Sequence, residues 1–238
     1  MPLVHPRTYP PGFTQGRQPA GDHGGDLGGR RDARWRRLCA LHPGAVCAHP
    51  STRTFPQLDT HTLEPLPLTT VGHGTASQTE LAGLLTTAGL RLLVDVRRYP
   101  GSRAHPYTGR EALARWLPAT GIRYRCDERL GGRRCLPADS PDTWWRVDAF
   151  RAYASHMRTT QFQEAAEELI GDLRAGPTAI MCGETLWWRC HRRLIADHLT
   201  AVRGCTVCHL DHRGRLTGHW VAPGARLSSA GVLVCDAP

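Results

Sequence analysis

The sequence predicts an α/β fold with a mostly parallel sheet and helices on both faces, preceded by a disordered N-terminal arm. Three observations carry this. Short continuous apolar runs, LLVDV at 92–96 and TAIMC at 178–182, have the pattern of strands covered on both faces. They alternate with segments of helical period. Gly and Pro supply 18 of the first 67 residues but only 25 of the remaining 171. The first segment, with its stretch GDHGGDLGGRRDARWRR, lacks the periodic apolar residues that would offset the entropy of ordering it.

The chain therefore reads as an arm over 1–67 and an α/β domain over 68–238. The domain opens on a short apolar strand at 68–71. Ser77 and Glu80 have the spacing of a capping box, and Leu81, Leu84, Leu85 and Ala88 line one face of the helix it starts, which Gly89 closes. The strand at 92–96 runs into the polar loop RRYPGSRAHPY. Thr108 and Glu111 suggest a second capping box, followed by a stripe of Leu113, Trp116 and Leu117. A third strand fits 122–125, and 127–142, with Gly131-Gly132 and two prolines, reads as a loop. Helices are expected at 148–157 and, capped by Thr160, through Phe162, Ala166, Leu169, Ile170 and Leu173 to Gly176-Pro177. The strand at 178–182, a helix over 190–202 and a last strand at 206–210 complete the pattern.

The formal net charge of +9 suits an acidic partner such as nucleic acid. All 30 basic residues are arginine, however, so biased coding explains part of the excess. No apolar run is long enough to span a bilayer, and the N-terminus lacks the apolar core of a signal peptide. The nine cysteines are then expected to be reduced thiols in a cytoplasmic protein. Cys205 and Cys208 form a C-x-x-C without a second pair, so neither a metal nor another cofactor is expected. A mononuclear site from Cys182, Cys190 and His191 is the lesser alternative.

In parallel α/β sheets ligands bind outside the carboxyl ends of the strands. Gly72-His73-Gly74, the group Asp95, Arg97, Arg98, Ser102 and Arg103, and the group Cys182, Glu184, Cys190, His191, Arg192 and Arg193 all fall there. Arg97, Arg103 and Arg192, with Ser102, are candidates to bind an anion. His73, Asp95, Glu184 and His191 are candidates for proton transfer, and Cys190 at a helix start is a candidate nucleophile. The competing reading makes the arginines a lattice that pairs with Asp95 and Glu184, and Cys190 an inert core residue. Trp144, Trp145, Trp187 and Trp188 serve either core packing or base stacking.

The stretches VGHGTASQTELAGLL, LRLLVDVRRYPGSR, GIRYRCDERLGGRR and IMCGETLWWRCHRRLIADHL occur in an order that resembles the DUF488 family, a domain of unknown function, over about residues 69–221. Gly74 stands where that pattern has Ser, Gly183 where it has Ala, and the spacer Thr185–Arg189 is unusually aromatic. The resemblance implies an α/β domain and supplies no activity. A strand ending in D-V-R with a later strand-Cys-loop-Arg-helix is also similar in layout to rhodanese domains and cysteine phosphatases. The interval from Cys182 to Arg192 is longer than their tight loop. The leading expectation is an enzyme acting on an anionic, phosphorylated or nucleic-acid substrate, and the runner-up is a non-catalytic nucleic-acid-binding module using the same arginines.

Removing residues 1–67 should leave the thermal midpoint of the remaining chain unchanged in a melting experiment. A fall of about 5 °C or more would show that the arm packs on the domain, since that shift corresponds to about 1–2 kcal/mol.

Overall fold

The computed structural model describes residues 67–236. The arm expected over 1–67 lies, Pro67 apart, outside the described residues. Five strands run parallel: β1 (Leu68–Gly72), β2 (Leu92–Asp95), β3 (Arg123–Cys126), β4 (Thr178–Cys182) and β5 (Val207–Leu210). A sixth strand, β6 (Leu216–Gly218), pairs antiparallel with β5, and the order across the sheet is β3-β2-β4-β1-β5-β6. The helices are α1 (Gln78–Thr87), α2 (Arg110–Trp116), α3 (Asp148–His156), α4 (Thr160–Ala175) and α5 (Arg192–Arg203). A separate hairpin, β7 (Ala225–Leu227) with β8 (Leu233–Cys235), follows the sheet.

The apolar runs become two-sided core because strand side chains alternate. Leu92, Val94, Ile180 and Cys182 pack in a core with Tyr153 of α3, Phe162 and Leu169 of α4, and Leu194 and Leu199 of α5. Leu93, Ala179 and Met181 pack with Leu81 and Leu85 of α1 and Leu113 of α2 in a second core. Helices cover both faces, as the two continuous runs require. Among the described residues no helix is long and apolar enough to cross a membrane.

The topology has a switch point at β4. The helices after β1 and β2 lie on one face, and those after β3 and β4 lie on the other. Since β4 sits between β2 and β1, its loop leaves the sheet in the direction opposite to both neighbours. This is the arrangement that creates a binding crevice at the carboxyl ends of open sheets. The register makes the three ends level, with Gly72 beside Cys182 and Asp95 beside Met181.

Four local expectations need correction. Thr108 is not a helix cap: its hydroxyl donates to the His105 carbonyl at 2.8 Å inside a 3-10 turn, Pro106–Thr108, and α2 begins after Gly109. The cap of α4 is Thr159, which accepts from the Phe162 amide at 3.3 Å, and Thr160 is already helical. Residues 190 and 191 precede α5, whose first helical residue is Arg192. The strand ending at Leu210 is not the last, because β6, β7 and β8 follow. These three are only three residues long, too short for alternation to register. The Ser77–Glu80 capping box is present in both directions.

The tryptophans pack internally in part. Trp145 is buried, and Trp187 stacks on His209 with ring centroids 3.8 Å apart. His209 belongs to a buried chain of side chains. Its Nδ1 meets Thr70 Oγ1 at 2.7 Å, its Nε2 meets His219 Nδ1 at 3.0 Å, and His219 Nε2 meets Asp197 Oδ1 at 2.9 Å. This chain ties β1, β5 and α5 together and gives the loop that precedes Cys190 a flat surface to rest on.

Thr159 also donates from its hydroxyl to the His156 carbonyl at 2.8 Å, so it joins the end of α3 to the start of α4. Thr159→Ala should cost about 1 kcal/mol in urea unfolding. Thr160→Ala should cost a few tenths at most, as an exposed first-turn residue without a capping role. Equal costs would place the cap at Thr160 after all.

Candidate functional site

Two clusters meet at the carboxyl ends of β1, β2 and β4. The first centres on Asp95, which is fully buried. Arg97 grips it bidentately, Nε to Oδ1 at 2.8 Å and Nη2 to Oδ2 at 2.6 Å, and Tyr124 of β3 donates to Oδ2 at 2.9 Å. The Arg97 backbone amide also donates to Oδ1 at 3.1 Å. The guanidinium is completed by the Thr108 carbonyl, which accepts from Nη2 at 2.5 Å, and by His73, 3.1 Å from Nη1. Every nitrogen of Arg97 is therefore committed within the protein. Burial pushes the Arg97 guanidinium down, but the hydrogen bonds and charge of Asp95 outweigh this and raise its pKa.

His73 has one tautomer open to it. Its Nδ1–H donates to the Gly74 carbonyl at 3.0 Å, so Nε2 is the lone pair that accepts from Arg97. Burial first, and the Arg97 charge second, lower its pKa to about 4. His73 is neutral at physiological pH, and its one acceptor nitrogen is taken by Arg97.

The second cluster is built from Cys182, Cys190, His191 and Arg192. Cys182 ends β4 on the face covered by α5, and its Sγ lies 2.7 Å from Cys190 Sγ. His191 Nε2–H donates to the Val96 carbonyl at 3.0 Å, which leaves Nδ1 as the basic nitrogen, 3.5 Å from Cys190 Sγ. A thiol, a histidine and a group that fixes the histidine tautomer are the parts of a nucleophile–base pair. Arg192 is only 1% exposed. It donates to the Glu184 carbonyl and, at 3.4 Å, to the Thr185 carbonyl. No carboxylate of the described residues pairs with it; the nearest negative charge available to it is thiolate sulfur.

That buried charge sets the electrostatics. Burial alone would raise the Cys190 thiol, but the Cys182 S–H and then the Arg192 guanidinium and backbone amide hold it down at about 6. Cys182 moves the other way, raised by burial and by giving its proton to Cys190. The Cys190 thiol is thus pushed down and the Cys182 thiol up. The two clusters meet at Gly183. The His73 amide donates to the Cys182 carbonyl at 3.0 Å, the Gly74 amide to the Gly183 carbonyl at 3.2 Å, and a Cβ on Gly183 would stand 3.3 Å from His73 Nε2. Gly72 has to be glycine, because a Cβ there would run into the Glu184 carbonyl and come within 2.8 Å of Arg192 Nη2.

The remaining sequence candidates lie differently. Glu184 contributes its carbonyl to Arg192, while its side chain is exposed. Ser102 Oγ accepts from the His105 amide at 3.0 Å and so shapes the loop after β2. Arg103 is exposed on that loop and makes no hydrogen bond or ion pair with the described residues. The loop is close to the crevice, since the His105 ring lies 6.2 Å from the His73 ring. Arg193, one position past Arg192, points away and stacks over Trp145 at 4.7 Å. Three contributors went unnoticed in the sequence: Tyr124, the Val96 carbonyl, and Cys182 as a partner of Cys190 rather than a metal ligand. Only the C-x7-C spacing of the cysteines offered a signal. Among the described residues no group of three His, Cys, Asp or Glu side chains is arranged to hold a metal.

The sequence matches the family described as Domain of unknown function DUF488 over residues 77–199, more than half of the 238-residue chain. The chain belongs to this family. No curated protein and no solved structure matches it. The DUF488 match contains Asp95, Arg97 and the whole Cys182–Arg192 segment, and it begins just after Gly72-His73.

The Cys190 charge state makes stability depend on pH. Its thiol is held at about 6 in the folded chain against 9.0 ordinarily, so the unfolded chain binds the extra proton between these values. Stability from this group is fully present above pH 9, and is lost as pH falls to 6. The urea midpoint should therefore rise with pH across that window and flatten in Cys190→Ser. An unchanged slope in the variant would mean that Cys190 is a neutral thiol.

Proposed function

We propose that this protein is an enzyme that attacks an anionic substrate with the Cys190 thiolate. The observation that carries this is the fully buried Arg192 guanidinium set against cysteine sulfur instead of a carboxylate. Burying an unpaired charge is costly, and a lattice built only for stability would use Asp or Glu there, as Arg97 does with Asp95. His191 Nδ1, 3.5 Å from the sulfur, is placed to accept a proton as the substrate reacts. Neutral His73, whose Nε2 already accepts from Arg97, holds the Arg97 clamp beside Gly183. Arg97 and Arg192 are already committed inside the protein, so steering of the substrate anion falls to the exposed Arg103. Glu184, exposed beside the thiolate loop, remains available for proton transfer at the mouth.

Alkylation separates the parts of this reading. Cys190 should react with iodoacetate with half-maximal rate near pH 6, the position of its pKa. It should prefer iodoacetate over neutral iodoacetamide severalfold, and Arg103→Ala should remove that preference without moving the pH midpoint. Exposed Cys135 supplies the internal comparison in peptide mass mapping. Reaction at Cys190 only above about pH 8 would remove the thiolate, and equal rates for the two reagents would remove the anion.

One observation favours a second reading, a non-catalytic nucleic-acid-binding module. Tyr99 is 61% exposed at the same sheet edge, with the Arg98 and Arg133 guanidinium groups 5.5 and 5.8 Å from its ring centroid. Aromatic faces flanked by arginines stack bases. This reading expects oligonucleotide binding that weakens steeply with salt, is lost in Tyr99→Ala and survives Cys190→Ser.

A further inference from the structure

The nucleophile reading uses Cys190 and leaves Cys182 unexplained. Cys182 is 2% exposed, yet it is neither simple core packing nor a metal ligand. Its sulfur is already in contact with that of Cys190 at 2.7 Å. The Glu184 amide points at Cys182 Sγ from 3.3 Å. Two cysteines, one at the end of β4 and one just before α5, thus face each other sulfur to sulfur.

We propose that Cys182 is the resolving partner of Cys190, and that hydrogen peroxide converts the two thiols into a reversible disulfide that switches the nucleophile off. This rests on the reading of Cys190 as a thiolate and extends it to regulation. The Cys190 thiolate attacks one peroxide oxygen; an S–O bond forms, the O–O bond breaks, and the departing hydroxide takes up a proton as water. The Cys182 sulfur then attacks the Cys190 sulfenic acid. The S–S bond forms, the S–O bond breaks, and hydroxide leaves as water with the Cys182 proton. Two thiols have lost two electrons and two protons, and the peroxide has become two waters. A small dithiol returns both electrons and protons and becomes a disulfide itself.

Hydrogen peroxide is among the smallest two-electron oxidants of thiols, which suits a sulfur that is 6% exposed. Arg192 sets how firmly the switch holds. In the disulfide its buried guanidinium loses the thiolate it faces, so the reduced state is the one the surroundings stabilise. A disulfide whose reduced form is stabilised in this way is strongly oxidising and easily reduced. The bond is therefore of the labile, regulatory kind and not a structural staple.

The test uses the full chain. It is treated with about one equivalent of hydrogen peroxide at neutral pH, then unfolded in denaturant with N-ethylmaleimide present to block the remaining thiols, and mapped by mass spectrometry. The expected product is a Cys182–Cys190 cross-link with the loss of two hydrogens, reversed by dithiothreitol and also by millimolar glutathione. In Cys182→Ala the cross-link is absent and dimedone traps the sulfenic acid on Cys190. The wild-type map needs no variant, so a misfolded variant does not rescue the idea. Oxidation of wild-type Cys190 to sulfinic acid with Cys182 still blocked by maleimide would overturn the resolving role. So would a cross-link that glutathione leaves intact, or oxidation of exposed Cys135 ahead of the pair. If Cys190 is alkylated near pH 6 but no cross-link forms, only this inference fails. If neither occurs, the nucleophile reading fails with it.

Discussion

A positive charge buried at the start of α5 is the constraint around which this edge of the molecule is arranged. Arg192 is removed from water and given carbonyls of the loop after β4 but no carboxylate. Carbonyl dipoles alone do not balance a full charge in a low-dielectric interior. The groups that face it are sulfurs, with the Cys190 thiol pushed down and the Cys182 thiol pushed up. Gly72 follows from the same demand, because any side chain there would occupy the space of the Glu184 carbonyl and the guanidinium.

The neighbouring cluster solves a similar problem in the conventional way. Arg97 and Asp95 form a bidentate pair, and the remaining donors go to Thr108 and His73. Such a pair is geometrically specific, and it brings the loop after β2 back onto the crevice. Two arginines of the same sheet edge thus have different roles because their counter-ions differ. The carboxylate makes Arg97 a structural clamp, whereas Arg192 stands against cysteine sulfur. The crevice exists because the connections after β1 and β2 go to one face and that after β4 to the other.

The position of reactive groups at one edge needs support from a distance. His191 can keep a basic Nδ1 only while Val96 holds its other nitrogen. Cys190 reaches Cys182 only because the chain between them is pinned by Trp187 on His209, itself part of the buried Thr70–His209–His219–Asp197 chain. These histidines spend their hydrogen bonds inside the fold.

Much of the fold was legible along the chain. Uninterrupted apolar runs at 92–95 and 178–182 announced strands covered on both faces, and helical periodicity marked α1, α4 and α5, because burial pattern is a local record of where the core lies. The family was legible for the same reason, in motifs spaced along the loops that leave those strands. Short, half-exposed pieces were not: β6, β7 and β8 bury too little to show alternation, and the choice of Thr159 over Thr160 as a cap depends on where α3 stops. Of the site, residue types and sheet edge could be read from sequence, since parallel strands carry their chemistry at their carboxyl ends. Partners could not. Whether Arg97 and Arg192 face a ligand, a carboxylate or a sulfur depends on strand order, on register and on which way each loop turns, and these are settled only when residues far apart in the chain, such as Val96 and His191, are brought within hydrogen-bonding distance.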